Sequence, residues 1–301
     1  MRVLVSGATG FLCRHLIQEL LSDGYRISVV TRNPGNAAKT LPGSIELIHW
    51  DQLTFQKFQQ IDAIVNLAGE SIGNRRWTAS VKQEIMNSRI NATRLLVKAI
   101  NGGAMKPKVL LNASAVGYYG PRGDETLTEI DRAGNDFLAQ VCKNWEKEAY
   151  RVQNPSTRVV TLRIGVVLGT GGALSRMVMP YRFYLGGPLG RGNQWLSWIH
   201  LQDLMEMMKF IIDQEEIQGP VNGTAPNPVT MKDFAKLIGE VLQKPSWFTV
   251  PETLLRLGLG QMSEMLLHGQ KAIPEKMLNA GFRFQYPELG LALEDILLNK
   301  Q

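Results

Sequence analysis

The stretch from Met1 to Leu21, MRVLVSGATGFLCRHLIQELL, constrains the fold more than any other. Arg2 to Ser6 reads as a short apolar strand and Gly7-Ala8-Thr9-Gly10 as a tight turn; Phe11 onward reads as a helix with Leu12, Leu16 and Leu20 on one face. A strand that passes through a glycine turn into a helix leaves unpaired N–H groups and the positive end of the helix dipole facing outward. That arrangement suits a phosphate, so a nucleotide is expected on the turn.

The pattern then alternates. Strands are predicted at Arg26 to Thr31, Ile45 to Trp50, Ala63 to Leu67, Lys108 to Ala113 and Arg158 to Gly165, each β-branched or apolar. Helices are predicted at Ser80 to Ile100 and Asn135 to Arg151 from apolar residues at helical spacing. Such alternation gives an α/β fold with a doubly wound parallel sheet covered by helices on both faces. After Gly169 the texture changes: Thr170 to Asn193 is Gly-rich and reads as a loop excursion. Trp195 to His200 reads as a short strand, Leu201 to Asp213 as a Met-rich helix, Pro220 to Gly223 as another strand, and Thr230 as the N-cap of a helix to Leu242. The expected organisation is a dinucleotide-binding domain of residues 1–169 with about 195–223, and a smaller C-terminal α/β substrate lobe of about 170–194 and 224–301.

The 301 residues carry 33 Lys and Arg against 27 Asp and Glu, a net charge of +6, but the basic residues are scattered. Nucleic acid is therefore not an expected partner, while local anion sites are. Cys13 and Cys142 are the only cysteines, with no metal-type spacing, so free thiols and no metal are expected. No apolar run is long enough for a membrane span and no charged and apolar leader precedes the first strand, so a cytoplasmic location is expected.

At the end of the second strand, where an acid holds the ribose 2′-hydroxyl of NAD, the chain reads Thr31-Arg32-Asn33-Pro34. A guanidinium there complements a 2′-phosphate, so NADP(H) is expected in preference to NAD(H).

Gly7-Ala8-Thr9-Gly10-Phe11-Leu12-Cys13 resembles the GxxGFxG turn of the extended short-chain dehydrogenases, with Cys13 in place of the last glycine. Asn66-Leu67-Ala68-Gly69 resembles the segment that in this superfamily runs alongside the adenosine ribose, and Asp51 matches its adenine-side acid. The resemblance places the 80–100 helix beside the cofactor, making Glu84 a candidate ribose acceptor and Arg89 a candidate phosphate partner, and Asn91 matches that helix's asparagine. Arg163-Ile164-Gly165-Val166-Val167-Leu168-Gly169 resembles the segment that packs near the nicotinamide. Trp198-Ile199-His200-Leu201-Gln202-Asp203 resembles the family's (F/W)IHxxD element, in which the histidine is mostly structural. With SRINATR and the C-terminal GFRFQYPELG, the whole chain resembles the atypical extended short-chain dehydrogenases known as SDR39U1-like or YfcH-like epimerase family proteins. The cofactor contacts so implied are Gly7, Thr9, Gly10, Phe11, Leu12, Thr31, Arg32, Asp51, Leu67, Ala68, Gly69, Glu84, Arg89, Ser114 and Val166.

Ser114, in NASAVGYYG, matches the serine that polarises the reacting oxygen in short-chain dehydrogenases. Their working tyrosine belongs to a Tyr-x-x-x-Lys pair, the lysine lowering the phenol pKa. Here Lys143 would need tyrosine at Ala139, and Lys147 at Lys143, so the pair is absent. Tyr118 and Tyr119 are the candidates to supply the phenol. The resemblance implies an NADP(H)-dependent oxidoreductase or nucleotide-sugar epimerase, its substrate a polar or anionic small molecule near Arg163, Arg182, Arg191 and Trp198. The missing pair favours the alternative, a catalytically weak or inactive dinucleotide-binding regulatory or scaffold protein, for example in cell division or membrane organisation, whereas the retained Ser114 favours the enzyme.

Overall fold

The computed structural model describes residues 1–7, 10–53 and 60–298. The chain opens with β1 (Arg2–Ser6), α1 (Phe11–Ser22) and β2 (Arg26–Thr31), followed by α2 (Pro34–Ala37), β3 (Glu46–His49) and β4 (Ala63–Asn66). Then come α3 (Ala79–Asn101), β5 (Val109–Ala115), β6 (Thr126–Leu127), α4 (Phe137–Ala149), β7 (Arg158–Ile164) and β8 (Val166–Leu168). The next stretch holds α5 (Gly172–Val178), β9 (Trp195–Leu196), β10 (Trp198–His200), α6 (Leu201–Asp213), β11 (Gly219–Gly223), β12 (Val229–Thr230) and α7 (Met231–Leu242). Last are α8 (Glu252–Leu259), α9 (Glu264–Leu267), β13 (Lys271–Ala272), α10 (Glu275–Asn279) and α11 (Leu289–Leu298).

Seven strands form one sheet in the order β11-β7-β5-β4-β1-β2-β3, every neighbouring pair parallel. Alternate residues of each strand face opposite sides. Val3 and Val5 join a cluster with Leu16, Leu20, Leu204 and Met208, whereas Leu4 joins one with Leu96, Ile100 and Met105. Both faces are thus covered by helices, which is why the strands read as continuous apolar runs. Strand order reverses between β1 and β4, and the carboxyl ends of strands at such a reversal form the ligand crevice of open α/β sheets.

A third cluster, with Leu174, Tyr181, Phe234 and Leu293, holds the smaller lobe together. Leu168, Leu196 and Trp198 pack in this lobe cluster, whereas Met277 and Phe282 pack against the sheet. Two elements differ from expectation. The segment read as a loop after Gly169 contains α5, because Leu174 and Val178 find burial in the lobe. The strand read from Trp195 to His200 is two: the buried Ser197 bonds Gln270 O at 2.7 Å, so β9 pairs antiparallel with β12 while β10 pairs parallel with β8.

Candidate functional site

A cavity of about 720 Å³ opens at the carboxyl ends of β1, β4 and β5 and runs to the C-terminal segment. Gly7, Gly10, Phe11, Leu12 and Leu67 line it. Gly7 takes φ +91°, and a Cβ there would lie 2.7 Å from Leu67 O, so both the conformation and the close approach of β4 require glycine. Gly10 caps α1 without a side-chain acceptor, leaving the helix's first N–H groups for a ligand. An open glycine turn with this cap fits a dinucleotide pyrophosphate. Thr9 lies outside the described residues.

Thr31 is buried and its Oγ1 accepts from Asn33 N at 3.2 Å, which turns the chain so that Arg32 stands exposed at the end of β2. Asp51 is exposed just beyond β3, beside His49 Nδ1 at 3.3 Å. Ala68 and Gly69 follow β4, and a Cβ on Gly69 would meet Arg89 Cζ at 3.0 Å, so this glycine leaves room for the guanidinium against the backbone. Arg89 lines the cavity but is engaged: it donates to Glu70 O and Ile85 O, both at 2.9 Å, and stands 5.1 Å over the Trp145 ring. Burial pushes its pKa below the ordinary arginine value. Glu84 is off the cavity wall, exposed and paired with Arg75, whose hydrogen bond holds its carboxyl below the usual range. Asn91 is likewise exposed. Val166, on β8, lines the cavity.

Ser114 also lines it, at the end of β5. Its hydroxyl donates to Glu146 Oε1 at 2.7 Å. Arg163 grips the same carboxylate with two bonds, Nε to Oε1 at 2.9 Å and Nη2 to Oε2 at 3.0 Å, the strong bidentate form. Burial opposes the Arg163 charge, but the bonds to Glu146 more than offset it, so this guanidinium holds its proton more firmly than an ordinary arginine. Arg163 is therefore a buried structural partner of Glu146, not a cation open to substrate. Trp198 is fully buried in the lobe core, its Nε1 donating to Asn227 O at 2.9 Å. Arg182 and Arg191 are exposed and off the cavity wall. None of the four expected substrate contacts lines the cavity.

Neither tyrosine reaches the cavity wall. Tyr119 is fully buried, its hydroxyl 2.7 Å from Asn222 Oδ1 and accepting from Arg163 at 3.0 Å; burial pushes the phenol up to about 12. Tyr118 lies with its ring 3.5 Å from the Arg163 guanidinium. The Tyr119 phenol so placed is a poor proton carrier near neutral pH, and both tyrosines stand against Arg163, off the cavity wall.

Two residues beside Ser114 were not read as part of the site: Cys142, expected only as a free thiol, and Glu146. Cys142 and Glu146, four apart on α4, occupy the face turned to Ser114, while Lys143 and Lys147 point to solvent. Burial pushes the Cys142 thiol up to about 11. Their spacing is the helical i, i+4 of the absent Tyr-x-x-x-Lys pair. The C-terminal segment also contributes to the wall: Gln261, Glu264, Met265, His268 and Gln270 line the cavity. His268 Nε2 lies 2.8 Å from Glu264 Oε2, and Arg256 bonds the other oxygen of that carboxylate. Gln270 Nε2 donates to Gly120 O at 3.1 Å, fastening this segment beside the turn that follows Ser114.

A parallel sheet with an open glycine turn at its switch point defines an α/β protein of the dinucleotide-binding, doubly wound class. A family model described as the NAD dependent epimerase/dehydratase family matches residues 3–222, and one described as Domain of unknown function (DUF1731) matches 250–296. The chain belongs to the NAD dependent epimerase/dehydratase family. It is 41% identical to the epimerase family protein YfhF of Bacillus subtilis, over 100% of this chain and 99% of that one. It is also 41% identical to the chloroplastic SDR39U1 homolog of Arabidopsis thaliana, over 99% of this chain and 87% of that one. The crystal structure of human epimerase family protein SDR39U1 (isoform2) with NADPH superposes at a TM-score of 0.92 with 38% identity, covering 100% of both chains. The family read from GATGF, NLAGE and WIHLQD is the family found. The relatives do not share one compartment, since one is chloroplastic; among the described residues no helix is long and apolar enough to cross a membrane.

Proposed function

We propose that this protein binds NADP(H) on the Gly7–Gly10 turn and carries out oxidation–reduction or epimerisation of a small molecule beside Ser114. The observation that carries the reading is the turn itself, a glycine at φ +91° pressed against Leu67 and leading into an uncapped helix. Support also comes from the human relative, whose crystal structure is one with NADPH. Gly7, Gly10, Phe11 and Leu12 would hold the pyrophosphate, Arg32 the 2′-phosphate, Asp51 and Leu67 to Gly69 the adenosine, and Ser114 and Val166 the nicotinamide end. When bound, the nicotinamide supplies the hydride chemistry.

The chain's own groups then divide the remaining work. Because the Ser114 hydrogen is committed to Glu146, its oxygen is left to accept a hydrogen bond from an O–H or N–H placed in the cavity. A carboxylate only accepts, so the Nε2 of His268 is the donor toward Glu264, which leaves Nδ1 as the ring nitrogen for a group in the cavity. This carboxylate–imidazole pair, steadied by Arg256, lines the cavity that Ser114 also lines and is the candidate for the proton exchange that the absent Tyr-x-x-x-Lys pair does not supply.

The test is NADPH oxidation and NADP⁺ reduction across a panel of carbonyl compounds and sugar nucleotides. His268→Gln is expected to lower kcat on any compound turned over by about a hundredfold, the scale of general acid–base catalysis, while NADPH binding persists. Cofactor binding without turnover of any compound would replace the enzyme with a dinucleotide-binding regulatory protein. Turnover indifferent to both His268→Gln and Ser114→Ala would remove the assigned groups.

A further inference from the structure

We infer that the substrate of this site is a neutral, carbon-rich carbonyl compound such as an aryl ketone, not a nucleoside diphosphate sugar; the inference rests on the reading above only for which part of the cavity the dinucleotide takes. With the glycine turn and the end of β5 given to the dinucleotide, the wall left to a substrate comes from α4, from the C-terminal segment, and from the start of α3 with the residues before it. That wall is Ile72, Trp77, Phe137, Leu138, Val141 and Met265. These six belong to one contiguous apolar cluster, separate from the two that hold the sheet. The Trp77 and Phe137 rings meet edge to face at 5.1 Å, forming an aromatic corner of the kind that receives planar or alkyl groups.

The charges on the wall argue the same way. A diphosphate brings two negative charges and is held by free guanidinium groups, ammonium groups or helix N-termini. Among the described residues the cavity presents two cations. Arg89 gives its Nη1 to two backbone carbonyls and lies against Gly69, on the side given to the dinucleotide, and the Lys82 ammonium lies 4.9 Å from the centre of the Phe137 ring. Two carboxylates, Asp136 and Glu264, line it as well. Asp136 caps α4, its Oδ1 accepting from Ala139 N at 2.8 Å, so the helix end nearest the wall already carries a negative charge. The residues that would have met a polar substrate, Arg163, Arg182 and Arg191, lie elsewhere. An apolar body gains by leaving water for such a wall, whereas a diphosphate loses its hydration without recovering it.

Isothermal titration calorimetry of the full chain, with and without saturating NADP⁺, would compare 2-acetylnaphthalene with UDP-glucose. The ketone is expected to bind at least tenfold more tightly. Met265→Lys, and independently Phe137→Ser, should each weaken it at least tenfold, with thermal melting reporting whether each variant is folded. Tighter binding of UDP-glucose, no binding of the ketone, or ketone binding untouched by both folded variants would overturn the inference. If NADP⁺ fails to bind while the ketone still binds and responds to the variants, the cofactor reading falls and the apolar substrate stands.

Discussion

Arg32 stands at the end of β2, exposed, with Asn33 beside it and no carboxylate in Thr31-Arg32-Asn33-Pro34. If it meets a 2′-phosphate, Arg32→Ala should weaken NADPH by about 1.5–3 kcal/mol, the range for a hydrogen bond to a charged group, and leave NADH nearly untouched. Equal losses for both cofactors in direct titrations would rule the role out. The residue scale is also where the sequence left most unread. Looking for tyrosine and lysine four apart leads to Ala139, Lys143 and Lys147, yet the two lysines lie on the solvent face. The phase of α4 was legible from Val141, Trp145 and Ala149, and it turns Cys142 and Glu146 inward. What the sequence does not contain is that Arg163, from β7, reaches Glu146 and makes a buried carboxylate tolerable.

His200 shows how one side chain serves an element. Its Nδ1 accepts from Gln202 N at 3.1 Å and so caps α6, while Nε2 lies 3.3 Å from Asp295 on α11 and the ring stacks on Tyr286 at 3.9 Å. Burial lowers the imidazole pKa below its ordinary 6.5, an effect that Asp295 only partly reverses. Below 6.5 and above the lowered folded value, the unfolded chain binds a proton that the folded chain does not, so stability falls as pH drops through that window. Protonating Nδ1 would also remove the cap. Urea denaturation between pH 7 and 5 should therefore cost the wild type more stability than His200→Asn, since asparagine caps without titrating. Parallel losses in the two proteins would disprove this. Most elements of the sheet were legible because their apolar runs are buried on both faces; α5 was not, because its helicity depends on lobe packing of Leu174 and Val178.

Across the whole molecule the C-terminal segment ties the two cores and completes the cavity. Met277 and Phe282 pack on the sheet, Leu289 and Leu293 in the lobe, and residues 261–270 stand between as cavity wall. Gly269 is the tightest point: a Cβ there would fall 1.7 Å from Trp195 O. Gly269→Ala should cost about 1–3 kcal/mol in urea unfolding, as overpacking does, and should also impair any turnover that depends on His268. Wild-type stability in this variant would show that the segment is not held where His268 needs it.

Local pattern alone determined the doubly wound sheet, the glycine turn and Arg32 beyond β2, because strand burial, turn geometry and a missing carboxylate are properties of neighbouring residues. Tertiary structure decided what surrounds Ser114. Glu146 and Arg163 are 32 and 49 positions away along the chain, and only the closing of β7 onto β5 joins them at its hydroxyl; His268, 154 positions away, reaches the same cavity wall through the return of the C-terminal segment to the turn after Ser114.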